Sequence, residues 1–467
     1  MPHTLLIETP AQTKSVTPCA TLVSYSISCP HVSLSDFLKY AAGGPRVYWE
    51  RDHLPVCFAG SGIAAALIAG GRHRFHTIQQ QADQLLNHVV LLDRNTPIEA
   101  GPRLFGGFAF SPHTPSTGLW TAFPEAMFIL PLYQLTHLSQ QTWLTINRRV
   151  EAADDLAGLA ARVRQEAGQV RAALLTVNGH NRPSISSHQL PQTVNLMSQP
   201  TWEDMVTTAT QRIRRGDLAK VVLARARQVY STQPVDPAKV LARLAQRYPS
   251  CYRFLFEPVP GHAFLGATPE LLAEVAGSTV RTVAMAGSIR RGQSPEEDRV
   301  LGQQLLANPK ERHEHALVVE AIQENLEPLV THLSLQPEPE LCRLSNIQHL
   351  KTVVEGQLAG NGGILPVVEA LHPTPAVGGW PRAIALEMIA AMEPTPRGWY
   401  ASPIGWLDHQ GNGLFAVALR SAVSVGHESV LFAGAGIMAD SVPRNEWHET
   451  ELKFKPMMDA LSEDNCQ

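Results

Sequence analysis

Short apolar runs separated by glycines dominate the first 180 residues, and such runs are typical of strands bounded by turns. Helical periodicity covers residues 154–175. Residues 181–195 are polar and contain two prolines and three serines, which predicts a loop. The predicted strands lie in VYWE (47–50), FAGSGIAAALIAGG (58–71), RLFGGFAF (103–110) and WLTINRRV (143–150).

The second part of the chain combines strands with longer helices. LAKVVLARARQVY (218–230) is rich in valine and leucine and predicts a buried strand. Because strands and helices follow no regular alternation, we predict an α+β architecture rather than a doubly wound sheet. Capping and stop signals predict three helices, which begin near Thr201, Ser294 and Lys310 and end near Arg215, Asn308 and Leu329.

The last hundred residues contain the most informative pattern. Two apolar runs, GNGLFAVALRSAVSV (411–425) and VLFAGAGI (430–437), precede PRNEWHETELK (443–453), whose glutamates recur at a spacing of three. Arg420 stands in the middle of the first run, where an unpaired charge would cost several kcal/mol, so we expect it to face an anionic partner. This layout indicates a site for a carboxylate and a metal.

Composition narrows the class of protein. With 467 residues, 44% of them hydrophobic, length alone suggests two or three domains. A net charge of −4 argues against nucleic acid or an anionic membrane as the main partner, and favours a small molecule. The six cysteines form no CxxC pair, and neither a secretory signal nor a run of bilayer length is visible. We therefore expect a cytoplasmic protein.

Lys220 and Glu270 are candidates for proton transfer. Lys220 stands among apolar residues of a predicted strand, and burial disfavours the ammonium form, so the amine could act as a general base. The alternative is an edge-strand or snorkelling lysine. Glu270 follows a Thr-Pro turn after an apolar strand, and a carboxyl group in an apolar setting can stay protonated as a general acid. The alternative is a glutamate favoured by a helix dipole.

Two pairs of glutamates, each with a spacing of three, are candidate metal ligands. Glu311 and Glu314 share one helix face, and Glu446 and Glu449 repeat the pattern, with Lys453 one turn beyond. A single pair of this kind usually belongs to a solvated face. Two pairs together provide oxygen ligands that suit a hard cation such as Mg²⁺, whereas no His/Cys cluster has the spacing for zinc.

Two glycine-rich segments could present backbone N–H groups to a carboxylate, although a tight turn is the simpler explanation for each. They are AMAGS (284–288) and FAGAGI (432–437). Together with Arg420 they describe a pocket for a substrate with more than one carboxylate.

Nine short motifs follow one another in the second part of the chain. They are KVVLAR (220–225), GATPELL (266–272), MAGSIRRG (285–292), ERHEHALVV (311–319), LHPTPAVGGWP (371–381), RGWYASPIGW (397–406), ALRSA (418–422), FAGAGI and EWHETELK (446–453). Taken together, these motifs resemble the chorismate-utilising enzymes, and among these the isochorismate synthases. The resemblance is dense from residue 201 to 461 and looser before that.

This resemblance implies a single large α+β domain of the anthranilate synthase component I type, with two stacked antiparallel sheets and outer helices. Residues 1–195 would form its strand-rich N-terminal part and residues 196–463 its intertwined catalytic region. The implied substrate is chorismate, which carries a ring carboxylate and an enolpyruvyl carboxylate.

The resemblance also implies roles for individual residues. Lys220 would activate water for attack at ring C2, and Glu270 would protonate the departing C4 hydroxyl. Glu314 and Glu449 would bind Mg²⁺ directly, with Glu311 and Glu446 in support. Substrate contacts are implied for Gly287, His349, Tyr400, Arg420, Gly434, Gly436 and Lys453.

Other members of the family remain alternatives. Salicylate synthases share the lysine base and then eliminate pyruvate from isochorismate. Anthranilate and aminodeoxychorismate synthases share the scaffold, but they add ammonia and work with a glutaminase partner. A lysine rather than a glutamine within KVVLAR (220–225) argues against the first of these, and we expect no glutaminase partner. A non-catalytic homologue that binds an anionic metabolite is a further alternative, against which the intact pair of Lys220 and Glu270 argues. We expect a monomer or homodimer, and the sequence leaves open whether the product enters quinone or siderophore synthesis.

Overall fold

The computed structural model describes residues 21–93, 95–114, 116–176, 191–344, 347–360 and 362–462. Ten α-helices lie in this part of the chain. They are α1 (Leu34–Tyr40), α2 (Arg74–Leu86), α3 (Leu156–Thr176), α4 (Gln199–Arg214), α5 (Pro237–Arg247), α6 (Pro295–Ala307), α7 (Pro309–Leu326), α8 (Ile364–Leu371), α9 (Arg382–Met392) and α10 (Pro443–Leu461).

The same residues contain 23 strands. The first eleven are β1 (Leu22–Ser28), β2 (Arg46–Glu50), β3 (Val56–Ser61), β4 (Ala65–Ala69), β5 (Val89–Leu91), β6 (Arg103–Phe108), β7 (Ala126–Leu130), β8 (Tyr133–Leu138), β9 (Gln141–Arg149), β10 (Gln192–Asn195) and β11 (Lys220–Tyr230). The others are β12 (Tyr252–Val259), β13 (His262–Thr268), β14 (Leu271–Ala276), β15 (Thr279–Arg290), β16 (Val330–Leu335), β17 (Glu340–Arg343), β18 (Ile347–Leu358), β19 (Gly379–Trp380), β20 (Pro403–Asp408), β21 (Gly413–Val417), β22 (Ser421–Val425) and β23 (Glu428–Ile437).

The strands form two sheets whose neighbours are antiparallel, apart from the parallel pair β1 and β5. The larger sheet runs β10-β11-β23-β22-β13-β12-β2-β3-β8-β9-β1-β5, with β19 beside β11. The smaller runs β16-β18-β15-β14-β21-β20-β6-β7-β4, with β17 beside β18. Early strands lie next to late ones in both sheets, as β2 does to β12 and β6 to β20. This interleaving builds one domain.

An apolar layer holds the two sheets together. Phe105 of the smaller sheet has its ring centroid 5.8 Å from Trp49, 5.8 Å from Phe58 and 6.2 Å from Phe256, which all belong to the larger sheet. Each large side chain buried in this way contributes about 1.5–3 kcal/mol. A second apolar cluster covers the opposite face of the larger sheet, where residues of α1, α3, α5 and α10 pack. The helices therefore lie outside the sheets.

The predicted α+β class and the single domain with outer helices are confirmed, and the two or three domains suggested by length are wrong. The length of the chain does not reveal the number of domains, because each sheet contains strands from both the early and the late parts of the chain. The division at residue 195 stays a prediction. Within the described residues, no helix is long and apolar enough to cross a membrane.

Two local predictions are corrected. Ser198, not Thr201, caps α4, because its side chain accepts a hydrogen bond from the Thr201 N–H and a proline follows within the first turn. Residues 181–190 lie outside the described part of the chain, but Gln192–Asn195 of the predicted loop pair with β11 as a strand. The predicted cap at Ser294 and the predicted end of that helix near Asn308 are confirmed, and Asn308 also caps α7.

Candidate active site

One cavity collects most of the residues predicted from the sequence. It lies where β11, β15 and β23 meet helices α7 and α10, and we call it the central cavity. Nine of the thirteen predicted site residues line it: Lys220, Glu270, Gly287, Glu314, His349, Arg420, Gly436, Glu449 and Lys453. The other four, Glu311, Tyr400, Gly434 and Glu446, lie immediately behind this lining, as described below.

Lys220 is the first residue of β11 and only 1% of its surface is exposed. Its Nζ lies 2.7 Å from Oε1 of Glu314 on α7. The ion pair therefore joins the larger sheet to a helix that packs on the smaller one. The structure places this lysine inside the molecule, which excludes the edge-strand and snorkelling alternatives.

Glu270 lies between β13 and β14, with its backbone tied to β21. Its N–H donates to the Thr268 hydroxyl, which in turn donates to the Val417 carbonyl, and its own carbonyl accepts from the Val417 N–H. Burial raises the pKa of its carboxyl group to about 7, against the opposing effects of Lys220, Arg420 and Lys453. A carboxylic acid that stays protonated near neutral pH can donate a proton.

Arg420 is not inside a strand, as the sequence pattern had suggested, but in the connection between β21 and β22. Its backbone has φ of +49°, a conformation that few non-glycine residues adopt. This turn releases the side chain from the sheet and directs it into the central cavity. Burial lowers the pKa of its guanidinium group, and among the described residues it has no ion-pair partner. The arginine is available to an anionic ligand.

Two glycines give the cavity its space. A Cβ on Gly436 would lie 3.1 Å from Glu314 Oε1 and 3.1 Å from Lys220 Cε. Gly287 has φ of +73° at an irregularity of β15, and a Cβ there would lie 3.2 Å from a carboxylate oxygen of Glu311. A side chain at either position would press on the charged groups.

His349 and Lys453 complete the wall. The Nδ1 of His349 lies 3.2 Å from the Gly287 carbonyl, which can only accept, so Nδ1 carries the hydrogen and Nε2 is an acceptor. Burial, aided by Lys453 and Arg420, lowers the pKa of His349 to about 4, so the ring is neutral at physiological pH. Lys453 donates to the Gly434 carbonyl at 2.8 Å and pairs with Glu449 at 2.6 Å.

Tyr400 stands behind the cavity lining, next to Gly434. Its ring stacks on Phe432 at 5.1 Å, and its hydroxyl oxygen would lie 3.4 Å from a Cβ on Gly434. Burial raises the pKa of its phenol to about 12, so the hydroxyl keeps its proton and is a hydrogen-bond donor.

The four predicted metal ligands come from two helices, Glu311 and Glu314 from α7 and Glu446 and Glu449 from α10. Burial raises the pKa of Glu446 to about 7, and Glu449 adds to the shift. Burial raises the pKa of Glu311, and Glu314 and Glu449 add to it. For Glu449 burial acts upward, but Lys453 overcomes it and the pKa is lowered. The glutamates are thus close enough to repel one another.

Among the residues that the structure describes, no group of three or more His, Cys, Asp and Glu side chains is arranged to hold a metal ion. Glu314 is occupied by Lys220, Glu449 by Lys453, and Glu311 accepts the Ser288 N–H at 2.9 Å. The donor set nevertheless fits a hard divalent cation, because it consists of carboxylates whose mutual repulsion such a cation would relieve.

The sequence analysis missed several residues of the lining. Their side chains are apolar or small, and their signal was only that they fall inside or beside the quoted motifs. They are Pro269, Met285, Ala286, Ser288, Ala376 and Leu419.

Three cationic side chains, Lys220, Arg420 and Lys453, line the central cavity together with the carboxyl group of Glu270, and such a set suits an organic anion. Residues 9–462 match the model of the family described as "Chorismate binding enzyme", and the chain belongs to this family.

Relatives with named functions cover nearly all of the chain. The "Salicylate biosynthesis isochorismate synthase" of Pseudomonas aeruginosa is 38% identical over 90% of this chain and 85% of its own length. "Isochorismate synthase MenF" of Bacillus subtilis is 34% identical over 95% and 94%. Among solved structures, MenF, the menaquinone-specific isochorismate synthase of Escherichia coli, matches with a TM-score of 0.78 and 26% identity, covering 95% of both chains.

Replacing Gly436 with alanine tests the packing around Lys220. The added methyl group would push the Lys220–Glu314 pair into the cavity at a typical overpacking cost of about 1–3 kcal/mol. We expect the dissociation constant for chorismate, measured by calorimetry, to rise about tenfold or more. Gly168→Ala on α3 is the control, because nothing lies within 4 Å of the new methyl group. Unchanged affinity in Gly436→Ala would contradict the packing described here.

Replacing Glu270 with glutamine tests the protonation of this carboxyl group. The unfolded wild type releases the proton near pH 4.5 but the folded one only near pH 7. Stability of the wild type relative to the variant therefore falls as the pH rises from 4.5 to 7 and is constant above. We therefore expect the unfolding free energy of the variant, relative to that of the wild type, to rise by on the order of 3 kcal/mol between pH 4.5 and pH 7. Urea titrations of the wild type and the variant measure this difference, with Glu320→Gln, at an exposed position of α7, as the control substitution.

Proposed function

We propose that the protein is an isochorismate synthase, which converts chorismate to isochorismate by adding water at C2 and releasing the C4 hydroxyl. The observation that carries the proposal is that Lys220 and Glu270 line the same cavity as Arg420 and Lys453. A base, an acid and anchors for two carboxylates are the groups that this reaction needs. The names of the relatives support the same reaction.

Proton transfer in this proposal is balanced between two residues. Lys220 takes a proton from water as its oxygen bonds to C2, the ring double bonds shift, and Glu270 gives its proton to the departing hydroxide, which leaves as water. Both aids are needed because water is a poor nucleophile and hydroxide a poor leaving group near neutral pH. The amine must be neutral to accept the proton, so its ion pair with Glu314 has to open first.

Substrate binding in this proposal depends first on Arg420, which has no ion-pair partner among the described residues. Arg420, helped by the Tyr400 hydroxyl and the N–H groups near Gly434 and Gly436, would hold the enolpyruvyl carboxylate. Lys453 and the backbone at Gly287 would contact other parts of the substrate. The neutral His349 would accept a hydrogen bond near the ring.

Mg²⁺ is the proposed cofactor. Glu314 and Glu449 would bind it directly, and Glu311 and Glu446 would do so directly or through water. When bound, it neutralises the ring carboxylate of the substrate, which would otherwise lie against four glutamates.

The remaining expectations extend this proposal. A cytoplasmic location, a monomer or homodimer, and function without a glutaminase partner are all in keeping with a small-molecule enzyme of this type. Product use in quinone or in siderophore synthesis depends on the pathway that surrounds the enzyme.

Product analysis tests the reaction directly. Incubation with chorismate and Mg²⁺, followed by chromatography, should yield isochorismate alone. Pyruvate with salicylate would instead identify a salicylate synthase, and no turnover would identify a binding protein.

Lys220→Ala should lower kcat by at least about 100-fold while leaving substrate binding measurable, because the residue acts on water. Lys455→Ala, a mostly exposed lysine on α10, should retain full activity.

Metal removal tests the glutamate cluster. We expect EDTA to abolish turnover and Mg²⁺ to restore it. Mg²⁺ alone should raise the Tm of the wild type, because it binds only the folded state. Glu314→Gln and Glu449→Gln should lose this rise, whereas Glu320→Gln, on the exposed side of α7, should keep it. Undiminished turnover in a rigorously chelated sample would refute the metal assignment.

A further inference from the structure

Strand β11, which carries Lys220, is paired continuously along one edge but only in part along the other. On one side β23 pairs with Val221 to Tyr230 without interruption. On the other side β19 pairs with Lys220 and Val221, and β10 pairs with Arg227 to Tyr230. In the part of the chain that the structure describes, no strand covers residues 222–225 on this side. Their backbone groups are buried and need partners from elsewhere.

Two charged side chains that are four residues apart in the chain provide partners in this gap. Glu393, the C-terminal cap of α9, accepts the Ala224 N–H at 2.8 Å. Arg397 donates to the Val222 carbonyl at 2.8 Å. Both charges are nearly inaccessible, at 5% and 3% of their side-chain surface, and they bind each other through two hydrogen bonds of 2.9 and 2.5 Å.

Arg397 also reaches two further segments of the site. It donates to the Val377 carbonyl at 2.8 Å, next to Ala376 of the cavity lining. Its own carbonyl accepts the Tyr400 N–H at 3.0 Å. Its guanidinium lies 4.2 Å from the ring centroid of Phe110, which closes the remaining side. The guanidinium therefore joins the strand of Lys220 to the segment of Ala376, and the backbone carbonyl of the same residue holds the turn of Tyr400.

We infer that Glu393 and Arg397 are positioning residues that hold Lys220, Ala376 and Tyr400 in register around the central cavity. Neither side chain lines the cavity, so they act through the backbone that they bind. Lys could replace the charge of Arg397 but not its several fixed donors, which bind three acceptors at once. The kinetic effect that we expect from this inference rests on the proposed function. A displacement of about 1 Å at the reacting groups can cost on the order of 100-fold in rate.

A matched ion pair elsewhere separates positioning from general stability. Arg46 and Glu257 are buried to a similar degree, at 7% and 3%, and their charged atoms lie 2.7 Å apart. They also bind backbone groups, the Leu38 carbonyl and the Gly261 N–H, but neither residue lines the central cavity. Breaking this pair should affect folding without reaching Lys220 or Tyr400.

The experiment compares Arg397→Lys and Glu393→Gln with Arg46→Lys and Glu257→Gln in the full-length protein. We expect Arg397→Lys to lower kcat about 100-fold, while the rise in Tm caused by Mg²⁺ stays as in the wild type because α7 and α10 are not bound by this pair. Glu393→Gln keeps a side-chain oxygen that accepts the Ala224 N–H, so this variant should retain most of the wild-type kcat. The Arg46 and Glu257 variants should lower Tm to a similar extent with kcat within about twofold of the wild type.

Two results would overturn the inference. One is that variants of both ion pairs lose kcat in the same proportion to their loss of Tm, because Glu393 and Arg397 would then have only a structural role. The other is Arg397→Lys with wild-type kcat. If the wild type itself does not turn over chorismate, the proposed function fails, and the dissociation constant for chorismate becomes the readout. It should then rise in Arg397→Lys but not in Arg46→Lys, and equal values would reject the positioning role.

Discussion

The contact on which the site depends most is the buried ion pair between Lys220 and Glu314. A charged amine inside a sheet is costly unless a counter-charge comes to it, and the counter-charge here belongs to a helix that packs on the other sheet. The pair therefore links the larger sheet to α7. It also fixes the size of the neighbouring residue, because only glycine at position 436 leaves room for both side chains.

A second buried cation on the same strand positions the other helix of the site. Arg225 is enclosed between α10 and the larger sheet, 3.6 Å from the ring centroid of Trp447, and donates to the Thr450 hydroxyl at 2.8 Å and to Glu451 at 2.5 Å. Lys220 and Arg225 are five residues apart, so their side chains leave opposite faces of β11. One strand thus orients both helices that carry the glutamates.

The sequence was sufficient to predict a feature of the fold or of the candidate site where that feature depends on a few adjacent residues. Ser294 could be identified as a cap, and Asn308 as a helix end, because both signals depend on neighbours within three positions. Twelve of the thirteen site residues could be proposed from the resemblance because they lie inside the quoted compact motifs, whereas His349 lies outside them. Arg420 was placed in a strand since nothing in its apolar surroundings reveals a residue with positive φ. Contacts over long distances, such as Arg397 with Val222, depend on how the sheet is assembled and leave no local pattern.

The two carboxyl groups Glu270 and Glu449 show how one cavity can hold an acid and an anion side by side. Burial raises the pKa of both, but Lys453 lies 2.6 Å from Glu449 and donates a hydrogen bond to it, which reverses the shift. Glu270 experiences Lys220, Arg420 and Lys453 only through space, and burial prevails. The opposite pKa shifts of the two carboxyl groups therefore depend on how closely an ammonium group approaches each of them. The site therefore uses glutamate for both the acid and the anion. The position of the neighbouring ammonium group relative to each carboxyl group determines which role each glutamate has.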